Sequence, residues 1–303
     1  MAECFFVSDI HGQAGRWAAL CAAIHARRPA AVFVGGDVLP SGGGHSADPR
    51  SAREPGRFLR DVAAGGLERV RRRLGAAYPR VFLILGNDDP RVEEHAVIDA
   101  GAGGVWDYAH ERQIEWAGWR VFGYGCVPPT PFRLKDWERY DVSRFVDPGC
   151  VSPEDGIRSV PVDQHEVRYR TIARDLDALA ADHPLDRSIW LFHAPPYDTA
   201  LDRAALDGRM VDHVPVDVHV GSIAIRRFIE RRRPRVTLHG HVHESARLTR
   251  RWHDQLDQTV MLSAAHDGPE LALVRFDPES PDAAVRDLLP AVAWPGRDAR
   301  RGG

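Results

Sequence analysis

The 303-residue sequence has few cysteines, almost no lysine, no long hydrophobic run and no large excess of charge of one sign. Its four cysteines are widely spaced and form no CxxC pair, which excludes a disulfide framework and a thiolate zinc site. No stretch approaches the roughly 18 consecutive apolar residues that a membrane span needs, so we predict no membrane partner. Because Met1–Glu3 lead into the apolar run Cys4–Val7 without a basic segment, we expect no signal peptide and a cytoplasmic location.

Lysine is nearly missing, because Lys135 is the single lysine among 40 basic residues. Against 43 acidic residues these give a formal net charge of −3. A chain this close to neutral is not expected to have a dedicated nucleic-acid binding face. The arginine runs at 71–73 and 231–233 are predicted to end helices, where positive charge complements the helix dipole.

Short apolar runs of strand length recur along the chain and alternate with segments of helical periodicity. This alternation predicts an α/β fold built on sheets. We expect a single domain over residues 1–293, with insertions at about 40–55 and 127–163 and a frayed tail at 294–303. The predicted strands are Cys4–Val7, Ala31–Val34, Val81–Leu85, Arg120–Tyr124, Ser188–Phe192, Arg235–Leu238, Thr259–Leu262 and Leu271–Phe276.

Polar residues follow several of these runs directly. Asp9-Ile10-His11 comes after the first run, Gly36-Asp37 after the second and Gly86-Asn87 after the third. His193 and then Gly240-His241-Val242-His243 follow two later runs. Ligand sites of open α/β sheets form beyond the carboxyl ends of the strands, so we expect these side chains to converge.

The donor types indicate a metal site. Carboxylate, amide and imidazole donors without thiolate suit divalent ions such as Mn, Fe, Zn or Ni. Each residue alone has an ordinary explanation: Asp9 is a good helix cap, Gly36-Asp37 is a common turn pair, and a single histidine usually belongs to the core or the surface. A metal site explains all of them together.

These motifs resemble those of the calcineurin-like metallophosphoesterase superfamily, whose order is DxH, GD, GN, an isolated His and GHxH. They span residues 9–243 here. The resemblance implies a four-layer α/β/β/α sandwich with two mixed sheets and a centre of two divalent ions, with Mn expected before Fe, Zn or Ni. It implies that one ion is held by Asp9, His11, Asp37 and His243, and that the other is held by Asp37, Asn87, His193 and His241.

A two-metal centre of this kind implies a dinuclear-metal-dependent phosphoesterase. Two divalent ions about 3.5–4 Å apart lower the pKa of a bridging water and clamp phosphate oxygens. The resulting hydroxide attacks the phosphorus of a phosphodiester or phosphomonoester in line. The neutral amide of Asn87 limits the negative charge of the site, so we also expect Asn87 to contact substrate. The net charge of −3 is no objection, because the ions supply local positive charge.

One position departs from the pattern of the family. Many members have a histidine after the GN asparagine, where it protonates the leaving oxygen, but this sequence has Asp88. A carboxylic acid donates a proton only if its pKa is raised, and nearby cations lower it. We therefore expect Asp88 to be structural or to contact substrate, and protonation to come from another group such as His239 or a water.

The insertion at 127–163 has two interpretations. It could lie over the metals and select the substrate, with Arg133 or Lys135 holding a phosphate. It could instead cover a sheet edge or join two copies in a homo-oligomer. Near other strand ends, Ser222 is a predicted helix cap whose amides could accept an anion, and His266 is a candidate for the rim of the site.

Two functions of different classes remain at this point. The leading hypothesis is a metal-dependent phosphohydrolase that acts on a small phosphate ester. The alternative is a binding scaffold with the same fold and no turnover. A scaffold could discard its metal ligands, whereas all seven ligand positions are filled here, and buried polar clusters are costly without a metal.

Overall fold

Strands and helices alternate through the computed structural model, which describes residues 2–40 and 55–294. The strands are β1 (Cys4–Val7), β2 (Ala31–Gly35), β3 (Arg80–Ile84), β4 (Asp107–Tyr108), β5 (Arg112–Trp116), β6 (Trp119–Tyr124), β7 (Ser188–Phe192), β8 (Met210–Val211), β9 (Val214–Pro215), β10 (Val236–His239), β11 (His253–Leu256), β12 (Thr259–Ser263), β13 (Leu271–Phe276) and β14 (Val285–Leu289). The helices are α1 (Ala14–Arg27), α2 (Pro55–Arg57), α3 (Gly65–Leu74), α4 (Glu94–Ala102), α5 (Gln164–Tyr169), α6 (Ile172–Ala180), α7 (Ile223–Arg232) and α8 (Ser245–Thr249). A π-helical segment, Phe58–Ala64, joins α2 to α3.

The large strands form two six-stranded mixed sheets. The first has the order β14-β13-β1-β2-β3-β4 and the second the order β11-β12-β10-β7-β6-β5. In the first sheet β1, β2 and β3 are parallel, and in the second β6, β7, β10 and β12 are parallel. Each sheet therefore brings the carboxyl ends of several strands to one edge.

Side chains that alternate along the strands build the layers. Phe6 of β1 is fully buried in an apolar cluster with residues of β7 and β10, which places this cluster between the two sheets. Phe5 lies in a second cluster with Trp17 of α1. On the other outer face, the ring of Trp190 in β7 lies 4.5 Å from that of Phe228 in α7. The predicted α/β architecture with two mixed sheets between helices is confirmed.

The strands that the sequence did not predict lie mostly at sheet edges. β4, β5, β11 and β14 are the outermost strands of the two sheets, and β8 pairs with β9 in a small two-stranded sheet. Edge strands face solvent on one side, so β11 and β14 consist of exposed and half-buried positions instead of forming a buried apolar run. Hydrophobic content alone does not identify such strands.

Helix ends follow local signals. The arginines at 71–73 and 231–232 lie in the last turns of α3 and α7, as predicted. Apolar residues recur with helical periodicity through residues 167–179, yet this segment belongs to two helices, α5 and α6. The break lies at Arg170 and Thr171, where the Thr171 hydroxyl accepts a hydrogen bond from the Arg174 amide at 3.3 Å and caps α6.

Two predicted features lie largely outside the described residues. The insertion predicted at 40–55 falls on 41–54, and the tail predicted at 294–303 falls on 295–303, both beyond the described ranges. Within residues 2–40 and 55–294, no helix combines the length and apolarity needed to cross a bilayer.

Candidate metal centre

The predicted ligands lie in loops at the carboxyl ends of parallel strands. Asp9 and Asp37 follow β1 and β2, and Asn87 follows β3 in the same sheet. His193 follows β7 and His241 follows β10 in the second sheet. The two sheets face each other, so loops from both meet at one end of the sandwich.

A first group of side chains combines four of the predicted ligands. Asp9, His11, Asp37 and His243 each offer one donor atom within 4.8 Å of the others. Nε2 of His243 lies 3.1 Å from Nε2 of His11 and 3.2 Å from Oδ1 of Asp9. Oδ2 of Asp37 lies 3.8 Å from Nε2 of His11. This set of oxygen and nitrogen donors suits a divalent ion.

A second group shares Asp37 with the first. Asp37, His193 and His241 also offer donor atoms within 4.8 Å of one another. Nε2 of His193 lies 3.2 Å from Oδ2 of Asp37 and 3.1 Å from Oδ1 of Asn87. All seven predicted ligands therefore meet in one place, and Asp37 lies between the two groups.

The backbone is strained at four of these seven positions. Asp9, His11, Asp37 and His241 have φ angles of 56°, 47°, 50° and 73°. This left-handed conformation costs a non-glycine residue roughly 1–2 kcal/mol. Such strain persists where the surrounding structure imposes it, typically at functional sites.

Glycines of the GN and GH motifs let the ligand loops approach one another. A Cβ atom on Gly86 would clash with Oδ1 of Asp37 and lie 2.6 Å from Nε2 of His193. A Cβ atom on Gly240 would clash with Oγ of Ser8 and lie 2.8 Å from Oδ2 of Asp9. Any side chain at either position would push the ligand groups apart.

Electrostatics keep the two carboxylates ionised. Burial alone would raise the pKa of Asp9, but the hydrogen bond with His243 and the positive charge of the histidines outweigh it and lower that pKa. Asp37 behaves in the same way: burial opposes ionisation, yet His193 lowers the pKa of Asp37 to about 2. Buried carboxylates surrounded by imidazoles are the arrangement that a cation stabilises.

The Oδ2 atom of Asp9 indicates that the site can accept a cation. Oδ2 of Asp9 is buried and has no hydrogen-bond partner among the described residues. A buried carboxylate oxygen without a partner is costly, and metal coordination would satisfy it. The residues present therefore fit a divalent ion.

Asp89 is a residue of the site that the sequence reasoning missed. Its fully buried carboxylate accepts hydrogen bonds from the amides of Gly86 at 2.9 Å, Val38 at 3.2 Å and Leu39 at 2.7 Å. It thereby joins the loop of Asn87 to the loop of Asp37. No local pattern marks this role, because two of its partners are about 50 residues away in the chain.

Asp88 lies at the margin of the first group. Its Oδ2 lies 3.5 Å from Nδ1 of His11, its side chain is 28% exposed, and its amide donates to Oδ1 of Asp37 at 2.9 Å. Burial and the negative charge of Asp37 raise the pKa of Asp88 to about 6. The amide contact shows that Asp88 helps to orient the shared carboxylate.

The other residue considered for protonation, His239, is enclosed in the core. It is fully buried, with Nδ1 2.9 Å from the carbonyl of Ala194 and Nε2 2.7 Å from the hydroxyl of Thr237. Its ring stacks on Phe192 at 5.6 Å, and burial lowers the pKa of His239 to about 4. Both ring nitrogens are used inside the fold, which argues against proton donation by His239.

Lys135 is also enclosed, within the 127–163 insertion. It is fully buried, and its Nζ lies 2.5 Å from Oε2 of Glu138 and 2.9 Å from the carbonyl of Thr130. This buried ion pair argues against the predicted phosphate contact by Lys135. Arg133 is exposed, and its contact with substrate stays a prediction.

The insertion itself packs on the loop of Asn87. The indole nitrogen of Trp137 donates to the carbonyl of Asp89 at 2.8 Å, and the carboxylate of Asp136 accepts from the amide of Arg91 at 2.8 Å. Further along, Asp141 accepts hydrogen bonds from Ser222 and from the Ile223 amide, at the start of α7. Ser222 caps that helix as predicted, but the anion at its end is a carboxylate of the chain itself.

A groove of about 570 Å³ opens beside the first group. Its walls include the ligands His11 and His243 together with Arg16, Arg247 and His266. His266, a candidate for the rim of the site, thus lies in a groove that two of the predicted ligands also line.

Comparison with known proteins gives one family and several similar folds. The family model of the calcineurin-like phosphoesterases matches residues 4–245. The protein TT1561 of Thermus thermophilus is 15% identical, with a TM-score of 0.55 and coverage of 95% of this chain and 98% of that chain. A dimetal phosphatase from Danio rerio is 13% identical, with a TM-score of 0.48 and coverage of 90% and 91%. None of the curated proteins matches the chain.

The likeness to TT1561 concerns the fold alone, whereas the family match extends over most of the chain. The matched residues include every loop that contributes to the two donor groups. The chain belongs to the calcineurin-like phosphoesterase family.

Proposed function

We propose that this chain is a phosphohydrolase that holds two divalent ions and hydrolyses a small phosphodiester or phosphomonoester. The observation that supports this most is the position of Asp37, whose carboxylate belongs to both donor groups. Asp9, His11 and His243 would complete one metal site around it, and Asn87, His193 and His241 would complete the other.

Residues of the chain would orient the substrate and the metal ligands. When bound, two divalent ions supply an activated water and neutralise charge that develops on the phosphoryl oxygens. The Asn87 amide places its oxygen toward His193 and so leaves its nitrogen to donate to a phosphate oxygen. His193 keeps its orientation because its Nδ1 lies 2.7 Å from the carbonyl of Gly35.

The finer features follow from the donor chemistry. Carboxylate, amide and imidazole ligands favour Mn as the first candidate metal, with Fe, Zn and Ni as alternatives. We further propose that the protein works in the reducing cytoplasm, where its four cysteines stay free. We also propose that it has no basic face for binding nucleic acid, since its net charge is −3.

The experiment that tests this function measures metal content and turnover on one preparation. We expect the purified protein, loaded with Mn and desalted, to retain about two ions per chain and to hydrolyse bis-p-nitrophenyl phosphate. A chelator should abolish the turnover, and Mn should restore it. No bound metal and no turnover with Mn, Fe, Ni or Zn would support the binding scaffold instead.

Replacing Asp88 tests whether this residue protonates the leaving group. We expect Asp88→Ala to lower kcat on bis-p-nitrophenyl phosphate by less than about tenfold, because loss of a true general acid typically costs about 10²–10⁴-fold and p-nitrophenolate needs little protonation. Steady-state kinetics at saturating Mn measure this, with Asp88→His as the companion variant. A loss above a hundredfold would show that Asp88 has an essential role.

A further inference from the structure

Cleavage of an ester whose leaving group is poor requires a proton for the leaving oxygen. Neither His239 nor Asp88 is well placed to donate it. His239 uses both ring nitrogens inside the core. Asp88 turns its carboxylate toward a proposed metal ligand, with Oδ2 3.5 Å from Nδ1 of His11. A side chain of the groove beside the donor groups is better placed.

His266 lies in the same groove as two of the metal ligands. It forms part of the wall together with His11 and His243, and its side chain is 16% exposed. An ester bound at the donor groups with its leaving group in this groove would bring that leaving group toward His266.

Arg16 fixes the distance between His266's loop and the ligands. Its guanidinium is almost fully buried and donates through Nη1 to the carbonyl of Asp9 at 2.6 Å. Through Nη2 the same group donates to the carbonyl of Gly268. A single guanidinium therefore links the loop of His266 to the loop of Asp9. On the other side, Arg286 donates to the carbonyl of Ala265 at 2.5 Å and anchors the same loop.

His266 has a carboxylate partner that orients its ring. Its Nε2 lies 3.1 Å from Oε2 of Glu270, and this contact lowers the pKa of Glu270, so the carboxylate is ionised. The described residues give Nδ1 no partner. A Cβ atom on Gly268 would lie 2.5 Å from Nε2 of His266 and 2.6 Å from Oε2 of Glu270, so the pair fits only over a glycine.

We propose that His266 is the proton donor to the leaving group and that Glu270 is its positioning residue. This inference rests on the proposed phosphoesterase function. Water oxygen forms the new bond to phosphorus while the bond from phosphorus to the ester oxygen breaks. The electron pair of that bond stays on the ester oxygen, which takes the proton from Nδ1 of His266. The proton lost by the water passes to solvent, and solvent later returns one to His266.

Two diesters that differ in their leaving group test this assignment. We expect His266→Gln to lower kcat on diphenyl phosphate by about a hundredfold or more, because phenolate needs a proton as it departs. On bis-p-nitrophenyl phosphate the same variant should lose less than about fivefold, because that leaving group departs without a proton. Glu270→Gln should change the ratio of the two rates in the same direction, by about tenfold, because it leaves the imidazole present but less well oriented.

His25→Gln, a change at an exposed histidine of α1, is the matched control and should leave both rates unchanged. Metal content of every variant should remain that of the wild type, which separates proton donation from metal binding. Equal losses on both esters, or a split produced by Asp88→Ala and absent in His266→Gln, would overturn the assignment. If the wild type cleaves neither ester with any metal, the phosphoesterase function itself fails, and the role of His266 falls with it.

Discussion

Replacing Asp37 with alanine is expected to remove both of the proposed metal sites at once. Its Oδ2 lies 3.2 Å from Nε2 of His193 and 3.8 Å from Nε2 of His11, so one atom is close to a histidine of each donor group. Loss of a hydrogen-bond partner behind a ligand already costs about 10–100-fold in metal affinity, and loss of a shared ligand must cost more. We expect the desalted variant to hold almost no Mn and to show no measurable turnover of bis-p-nitrophenyl phosphate.

Variants that touch one group alone sharpen this result. His193→Ala and His11→Ala each remove a ligand from a single group, so about one ion per chain should remain in each. Asp186→Ala, at an exposed aspartate, is the control and should keep the wild-type metal content and rate. If Asp37→Ala retained two ions or its activity, Asp37 would not be a shared ligand.

The sequence was sufficient to predict that the ligands converge, for a simple geometric reason. Asp9, Asp37 and Asn87 each follow a buried strand, and parallel strands bring their carboxyl ends to one edge. Local residue types mark both the strand and its end, so the relevant information lies within a few residues. The same holds for His193 after β7 and for His241 after β10.

The sequence could not predict which polar side chains are buried. The chemistry of Lys135 and His239 makes them candidates for a role near substrate, yet each is buried and satisfied by neighbours inside the fold. Whether a polar side chain is exposed or paired depends on packing that no local pattern encodes. The link from Asp9 through Arg16 to Gly268 is of the same kind, since it joins segments more than 200 residues apart.

Asp89→Ala tests the most consequential of these long-range contacts. The substitution would leave the buried amides of Gly86, Val38 and Leu39 without an acceptor. Each unsatisfied buried donor costs about 1–3 kcal/mol, so the free energy of unfolding should fall by about 3 kcal/mol or more. Urea denaturation of the metal-free protein measures this directly, because bound metal would add its own stabilisation.

The same variant should weaken metal binding although Asp89 is not itself among the proposed ligands. Its carboxylate holds the amides that flank Asp37 and Asn87, so both ligands lose their fixed positions, and Mn affinity should fall by about 10–100-fold. Asp89→Asn keeps an oxygen that can accept from Gly86 and Val38, and it should therefore lose less of both stability and affinity. Wild-type stability and affinity in Asp89→Ala would mean that the two loops are held by other contacts. A loss of stability at unchanged affinity would mean that the metal ligands are positioned independently of this carboxylate.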